Sequence, residues 1–326
     1  MSAIQILDGR QWAYGSAVDR REFAKSLRYA LATSGFVKLV NHGISDEGVD
    51  GIFESSKTFF DLPVSEKQTA ANTPGVNQQR GWSRLGEEKT STLKKHGAGS
   101  QAELKDAKEH FDCGSAEDEM FPNVWPTTPG LDSFRPTVQT YYDQCQQIAL
   151  ALIEALEVGF DLAPGSLSHA IRERTSDLRL SHYPAVPVDD LKDGSTNRIW
   201  PHTDLGIITL LLQDTVGGLE VWDHINDSGY VPVVPRSRYE MIINVGDTLQ
   251  RWTNGNLRAG LHRVTTPQTV ADTGTVSERF SIGFFLKPSR EQGVGAMPVF
   301  VDGDHPSRYD DISMLELQEL RNSQLY

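Results

Sequence analysis

Cysteine is scarce. Only Cys113 and Cys145 occur in 326 residues, too few for a disulfide framework or a four-ligand structural zinc site. No run approaches 18 consecutive apolar residues, which excludes a membrane-spanning helix. The opening stretch MSAIQILDGRQWAYG has neither a basic start nor an apolar core, so no secretory signal is expected. Positive charge is short as well: 31 Lys and Arg stand against 44 Asp and Glu, a net charge of −13. Such a surface repels phosphate backbones and argues against a nucleic-acid partner. Free thiols without an export signal lead to the expectation of a cytoplasmic protein that touches no membrane. Several catalytic motifs are also missing. There is no G-x-S-x-G elbow, P-loop, G-x-G-x-x-G after a strand, or H-E-x-x-H.

What is present suffices for a large core: 38% apolar residues, with 13 Phe, 9 Tyr and 6 Trp. Ser16 is placed to cap a helix with Phe23, Leu27, Ala30 and Leu31 on one face, ended by Gly35. Phe36 to Ile44 reads as a buried strand running into a turn. A second helix carries Val49, Ile52, Phe53, Phe59 and Phe60 to the Leu62-Pro63 stop. Lys67 to Gly114 is polar and Gly-punctuated, and Lys94 to Gln101 reads as a mobile surface loop, a candidate lid. Val138, Tyr141, Cys145, Ile148, Leu152 and Leu156 mark a scaffold helix backing a sheet.

From Leu178 the texture changes to short β-branched and aromatic runs: LRLSHYP, IITLLLQD, GLEVWD, YVPVV, MIINVG, GLHRV and RFSIGFFLKP. Turn residues separate them, with Asn254-Gly255 the strongest hairpin signal. This pattern predicts a mainly β jelly roll with flanking helices. A single domain is expected over 1–326. It comprises an N-terminal mixed α/β region (1–125), scaffold helices (126–177), a jelly-roll core (178–290) and a C-terminal helix (306–326) bearing Ile312, Leu315 and Leu320.

Histidines and carboxylates carry the remaining chemistry. His202 and Asp204 are two apart at the entrance to a strand, and alternate residues of extended backbone share a face. A third ligand from a distant strand, His262, would complete two imidazoles and one carboxylate on one side of a metal. That facial set suits non-haem Fe(II) oxygen chemistry. H-x-D alone is weak, since His110-Phe111-Asp112 repeats it within the charged stretch KEHFDCG, outside the strand-rich half. The combination is specific: a His 58 residues past Asp204, then Arg279-Phe280-Ser281 opening an apolar strand 17 residues later. A second R-x-S, Arg174 to Ser176, has no such company.

These residues resemble the 2-oxoglutarate/Fe(II)-dependent dioxygenases of the isopenicillin N synthase-like group. GFVKLVNHGI, FFDLPVSEK, KEHFD and NVWP are similar to that group's N-terminal region. LSHYP, HTDLGIITLLLQD, GGLEVWD, NVGDTLQRWTNG, LHRV and RFSIGFF are similar to its core. The resemblance implies a double-stranded β-helix and iron ligation by His202, Asp204 and His262. It further implies that Arg279 and Ser281 bind 2-oxoglutarate. Tyr183 joins them from Ser-His-Tyr-Pro (181–184), where the group has Asn-Tyr-Tyr-Pro. The implied reaction couples O2 and the decarboxylation of 2-oxoglutarate to oxidation of a substrate C–H bond: hydroxylation, desaturation, cyclisation or ring expansion. The style is similar to fungal secondary-metabolism members.

Arg198 and Trp200, just upstream of His202, and Phe111 suggest a small aromatic or dienone substrate, as in an aromatic polyketide. A solvated loop position for Arg198 is the competing reading. Two other classes stay open at this point: a non-catalytic jelly-roll binding module, and a zinc hydrolase using the same three ligands.

Overall fold

The computed structural model describes residues 4–72, 80–93, 104–192, 196–268 and 274–325. The candidate lid at Lys94 to Gln101 lies outside these residues.

Helix α1 (Ala17–Ser34) starts at a capping box. The Ser16 hydroxyl accepts from the Asp19 backbone N–H, and the Asp19 carboxylate accepts from the Ser16 backbone. It ends at Gly35, whose φ of 77° is left-handed. Helix α2 (Asp46–Phe60) and the long α3 (Phe134–Gly159) complete the helical layer. Val138, Tyr141, Cys145, Leu152 and Leu156 are buried on α3, as its periodicity predicts.

The helices cover one face of an eight-stranded sheet. Its strands are β1 (Ile6–Asp8), β2 (Phe36–Val40), β3 (Gly81–Ser83), β4 (Glu109–Gly114), β5 (Asp177–Tyr183), β7 (Ile208–Gln213), β10 (Met241–Val245) and β12 (Arg279–Phe285). Their spatial order is β1-β2-β10-β7-β12-β5-β4-β3. Between β5 and β7 in the chain comes β6 (Ile199–His202). It pairs in a second sheet with β8 (Leu219–Trp222), β9 (Tyr230–Pro232) and β11 (His262–Val264), in the order β9-β8-β11-β6. The two facing sheets give the predicted jelly roll.

Strand alternation sorts the large sheet's side chains. Leu178, Leu180, Leu210, Leu212, Ile243, Val245, Ile282 and Phe284 join the helices in the main core. The opposite face, with Tyr183, Ile242 and Phe36, meets Leu219, Val221 and Val264 of the small sheet in a second core. A cavity of about 140 Å³ opens between the sheets beside that second core.

Four sequence expectations need correction. KEHFDCG, read as a charged stretch outside the strand-rich half, is itself a strand: Glu109–Gly114 is fully buried and paired along its length with β5. Its charges are neutralised inside the fold, Glu109 by Lys67 at 2.8 Å and Asp112 by Arg179 at 2.8 Å. Asn254-Gly255 is not a hairpin turn. It follows a short helix, α4 (Asp247–Trp252), with both residues at positive φ. The C-terminal helix, α5, is shorter than expected (Met314–Leu325) and buries Met314, Asn322 and Leu325, while Leu320 is exposed. Finally, the jelly-roll sheet is not confined to 178–290, because β1 to β4 extend both of its edges.

Candidate active site

β6 and β11 run antiparallel with His202 opposite His262. The turn after His202 is pinned to the start of α4: the Asp247 backbone N–H donates to the Asp204 carbonyl at 2.7 Å, and the Thr203 hydroxyl donates to the Asp247 carboxylate at 3.0 Å. His202, Asp204 and His262 thereby converge, with one potential ligand atom from each lying within 4.8 Å of the others. The Asp204 Oδ1 is 3.7 Å from His202 Nε2 and 3.9 Å from His262 Nε2.

The surroundings choose which atoms remain for a metal. Each imidazole places Nδ1 at 2.9 Å from a backbone carbonyl, Trp200 for His202 and Gly260 for His262. Donation there fixes the neutral tautomer whose Nε2 lone pair points at the neighbouring ligands. The Asp204 Oδ2 accepts from the Thr209 hydroxyl at 2.6 Å and the Asn244 amide at 2.8 Å, leaving Oδ1 on the triad side. Burial, reinforced by the His262 imidazole, pushes His202 well down and keeps it neutral. Burial alone would raise the Asp204 carboxyl. The electrostatic influence of the neighbouring His262 and His202 rings and the two hydrogen bonds outweigh it and hold the carboxyl below its usual range. A neutral-imidazole, carboxylate set of this geometry fits one divalent iron.

On the facing eight-stranded sheet, β12 opens with Arg279, 1% exposed. Its Nη2 donates to Gln213 Oε1 at 2.9 Å and its Nη1 to the Ser281 hydroxyl at 3.3 Å. Its Nε and the Gln213 Nε2 have no hydrogen-bond partner. No carboxylate lies within ion-pair distance among the described residues, although a buried cation demands an anion. Tyr183, opposite Arg279 in register, has its ring 4.7 Å from that guanidinium. Both Arg279 and Ser281 line the cavity with the triad and Tyr183.

The three residues suggested for substrate contact lie elsewhere. Phe111 is fully buried in an aromatic cluster with Phe59, Phe134 and Trp125, at ring distances of 5.1 to 5.6 Å, and is not in the cavity wall. Arg198 is neither a solvated loop residue nor part of that wall. It is 0% exposed, donates to the Ser277 carbonyl, and stands 5.9 Å from the Tyr183 ring. Trp200 turns away and donates its indole N–H to the Lys105 carbonyl at 3.2 Å.

The cause is local. Alternation fails at Arg198, which forms a bend between Thr196–Asn197 and β6. It fails again within β6, where Ile199 to His202 spans three steps against the two from His262 to Val264. This bulge rotates Ile199 onto the cavity side with His202 and leaves Trp200 outside.

Sequence reasoning also missed residues. Thr209, Asn244 and Gln213 orient Asp204 or Arg279. Their signal was a polar side chain inside otherwise apolar strands, ITLLLQ and MIINV.

Comparisons with known proteins identify the family. Residues 4–128 match the family profile described as non-haem dioxygenase in morphine synthesis N-terminal, and residues 174–288 match the 2OG-Fe(II) oxygenase superfamily. The 2-oxoglutarate-dependent dioxygenase ecdK of Aspergillus rugulosus is 45% identical, over 99% of this chain and 100% of its own. The 2-oxoglutarate-dependent dioxygenase imqE of Aspergillus flavus is 41% identical, over 99% of this chain and 94% of its own. Among solved structures, a full-length Neurospora crassa protein in complex with alpha-KG superposes with a TM-score of 0.87 at 29% identity, covering 98% of this chain and 96% of that one. With the His202-Asp204-His262 triad assembled on a jelly roll and both family profiles matched in order, the chain belongs to the 2-oxoglutarate- and Fe(II)-dependent oxygenases, and is an oxidoreductase of that superfamily.

Proposed function

We propose that His202, Asp204 and His262 hold the iron, that Arg279, Ser281 and Tyr183 hold 2-oxoglutarate, and that the protein oxidises a C–H bond of a small organic molecule in secondary metabolism. The observation that carries the cosubstrate assignment is the buried guanidinium of Arg279, with an open Nε and no carboxylate partner among the described residues. A dicarboxylate supplies the missing anion, and the guanidinium fork fits it bidentately. Tyr183 stands between Arg279, in the cavity wall at 4.7 Å, and Arg198, behind the wall at 5.9 Å. Burial, and the nearby Arg279 charge, bring Arg198 down to about 10, as expected where positive charge is concentrated and undercompensated. A zinc hydrolase would have no use for this end of the cavity.

Iron and 2-oxoglutarate, when bound, supply the oxidising power: O2 is consumed, 2-oxoglutarate is decarboxylated to succinate, and the substrate is oxidised. The chain's contribution is placement and exclusion. The backbone carbonyls of Trp200 and Gly260 fix the imidazoles, and Thr209 and Asn244 fix the carboxylate. Ile199, Leu211, Leu219, Ile242 and Val264 form an apolar wall that limits water around the reacting C–H bond. The aromatic-polyketide expectation rested on Arg198, Trp200 and Phe111, which do not reach the cavity, so these residues lend it no support.

The test is a substrate screen. The iron-loaded protein is given 2-oxoglutarate, O2 and a panel of fungal metabolites, and products are read by mass spectrometry. A product gaining one oxygen atom, formed in step with succinate, supports the reading. Turnover of a panel compound without 2-oxoglutarate overturns it.

A further inference from the structure

The cavity treats its cations in two different ways. Lys108, Arg179, Lys287, Arg321 and Arg279 all line it. Lys108 donates to Glu88, and Lys287 donates to Asp177. Arg179 forks onto Asp112, with Nε to Oδ1 and Nη2 to Oδ2 both at 2.8 Å, while its Nη1 donates to Glu88 at 3.0 Å. Arg321 lies 3.6 Å from Asp247 and donates to the Thr203 carbonyl. Arg279 is the one lining cation without a carboxylate among the described residues.

The two treatments occupy different ends of one sheet face. On β5 the cavity-facing residues are Tyr183, Ser181, Arg179 and Asp177, opposite Arg279, Ser281, Gly283 and Phe285 of β12. Four residues of strand separate Tyr183 from Arg179, about 13 Å at the rise of an extended chain. Between these levels lie only the small Ser181 and Ser281, and at the Arg179 level Gly283 contributes no side chain, the Phe285 ring standing 3.2 Å from where its Cβ would be. One cavity thus runs past both ends, with small side chains at the level between them.

At the Arg179 end the charges cancel but hydrogen-bonding capacity remains. Leaving aside Asp204, the lining carboxylates are Glu88, Asp112 and Asp177, matched by Lys108, Arg179 and Lys287. A carboxylate has about four lone-pair sites, and Arg179 engages two at Asp112. Lys108 has three N–H donors, and Glu88 takes one. His110, between Lys108 and Asp112 on the same strand face, is 1% exposed, and neither ring nitrogen has a hydrogen-bond partner. A further anion here would face Glu88 and Asp112, and a further cation would face Lys108 and Arg179. Either would be a buried charge without a counterion.

We propose that the substrate is an uncharged molecule carrying both hydrogen-bond donors and acceptors, of the amide or hydroxy-carbonyl class, and that Glu88, Lys108, Asp112 and Arg179 read its polar end. The inference rests on the proposed function in one respect: 2-oxoglutarate occupies the Arg279 end. The neutral wall then gives specificity, because a carboxylate-bearing analogue meets Asp112 and Glu88 rather than a free cation.

Three probes of one shape test this: benzamide, benzoate and benzylamine, neutral, anionic and cationic at about pH 7.5. Binding is measured by calorimetry on the full chain loaded anaerobically with Mn(II) and saturating 2-oxoglutarate. Benzamide is expected to bind at least about tenfold more tightly than either charged probe. Asp112→Asn leaves Arg179 undercompensated, so benzoate should gain about tenfold while benzamide does not. Glu88→Gln is the parallel variant should Asp112→Asn fail to fold, and the comparison on the unaltered protein needs neither. Preference for benzoate or benzylamine, or no benzamide binding, overturns the proposal. The 2-oxoglutarate titration on the same sample separates the two readings: its failure counts against the cosubstrate site, whereas normal 2-oxoglutarate binding with the wrong probe preference counts against the neutral wall.

Discussion

Asn244→Ala removes one of the two donors that fix the outer oxygen of Asp204. Asn244 is 3% exposed, and its amide sits 2.8 Å from Oδ2. Deleting it leaves the Thr209 hydroxyl, at 2.6 Å, as the other contact holding that oxygen. A hydrogen bond to a charged group contributes roughly 1.5–3 kcal/mol, which sets an upper range of about 10- to 150-fold on the loss. Partners behind metal ligands elsewhere cost about 10- to 100-fold in affinity when removed. The expectation is therefore a 10- to 100-fold weaker Fe(II) affinity, on the order of those values, with the fold retained because the strand's own ladder to β2 and β7 is untouched. Anaerobic competition against a chromogenic chelator measures it, and circular dichroism checks the fold. Thr209→Val should behave alike. The double variant should lose less than the product of the two, because both donors hold one oxygen. Unchanged metal affinity in both single variants would refute the argument that Asp204 is aimed by its outer oxygen.

Three further outcomes follow from the same geometry. Arg279→Ala should raise the 2-oxoglutarate KM about 10- to 150-fold, and Arg279→Lys should recover only part of it, since an ammonium lacks the planar fork; initial-rate kinetics at varied 2-oxoglutarate decide it. Arg198→Met should weaken 2-oxoglutarate binding by less than the Arg279 change and leave metal affinity intact, because Arg198 acts across the Tyr183 ring rather than on the triad; calorimetric titration of both ligands checks this. Asp106 gives a pH signature. Burial, opposed in part by Lys108, raises its carboxyl to about 7 from an ordinary 3.8. The unfolded chain loses that proton near its ordinary value while the folded chain keeps it, so stability falls as pH rises from about 4 to about 7, at roughly 1.4 kcal/mol per unit at most. Asp106→Asn should flatten that slope in urea denaturation at about pH 4.5 and about pH 7.5, and equal slopes in both proteins would remove Asp106 as its source.

Much of the site was legible because it is carried by local spacing on short strands. His202 and Asp204 flank one residue, Arg279 and Ser281 flank another, and the strands that hold them are apolar enough to recognise. What escaped were the places where physics runs against local pattern. Glu109–Gly114 reads as a charged stretch outside the strand-rich half, yet it is a buried strand, because Lys67 and Arg179 come from distant segments to neutralise it. Strict alternation puts Trp200 and Arg198 on the metal's face, and a bend and a bulge remove them from it. A bulge of one residue leaves no mark in composition. Phe111 illustrates the opposite error: an aromatic residue near a charged motif reads as a ligand contact, whereas its ring completes the cluster under α3. Asn254-Gly255 carries the residue types of a hairpin, but positive φ at both positions serves equally well to end a short helix. For the buried strand, the bulge and Phe111 the deciding partner lies far away in the sequence, whereas Asn254-Gly255 is decided by the short helix just before it.

In the proposed function one iron is held by His202, Asp204 and His262, while the similarly spaced pair His110 and Asp112 holds none. Anaerobic equilibrium dialysis against Fe(II), followed by metal analysis of the unaltered protein, Asp204→Ala and His110→Ala, tests it most directly. One iron per chain is expected in the unaltered protein and in His110→Ala, and essentially none in Asp204→Ala. Full iron in Asp204→Ala, or its loss in a folded His110→Ala, would contradict it.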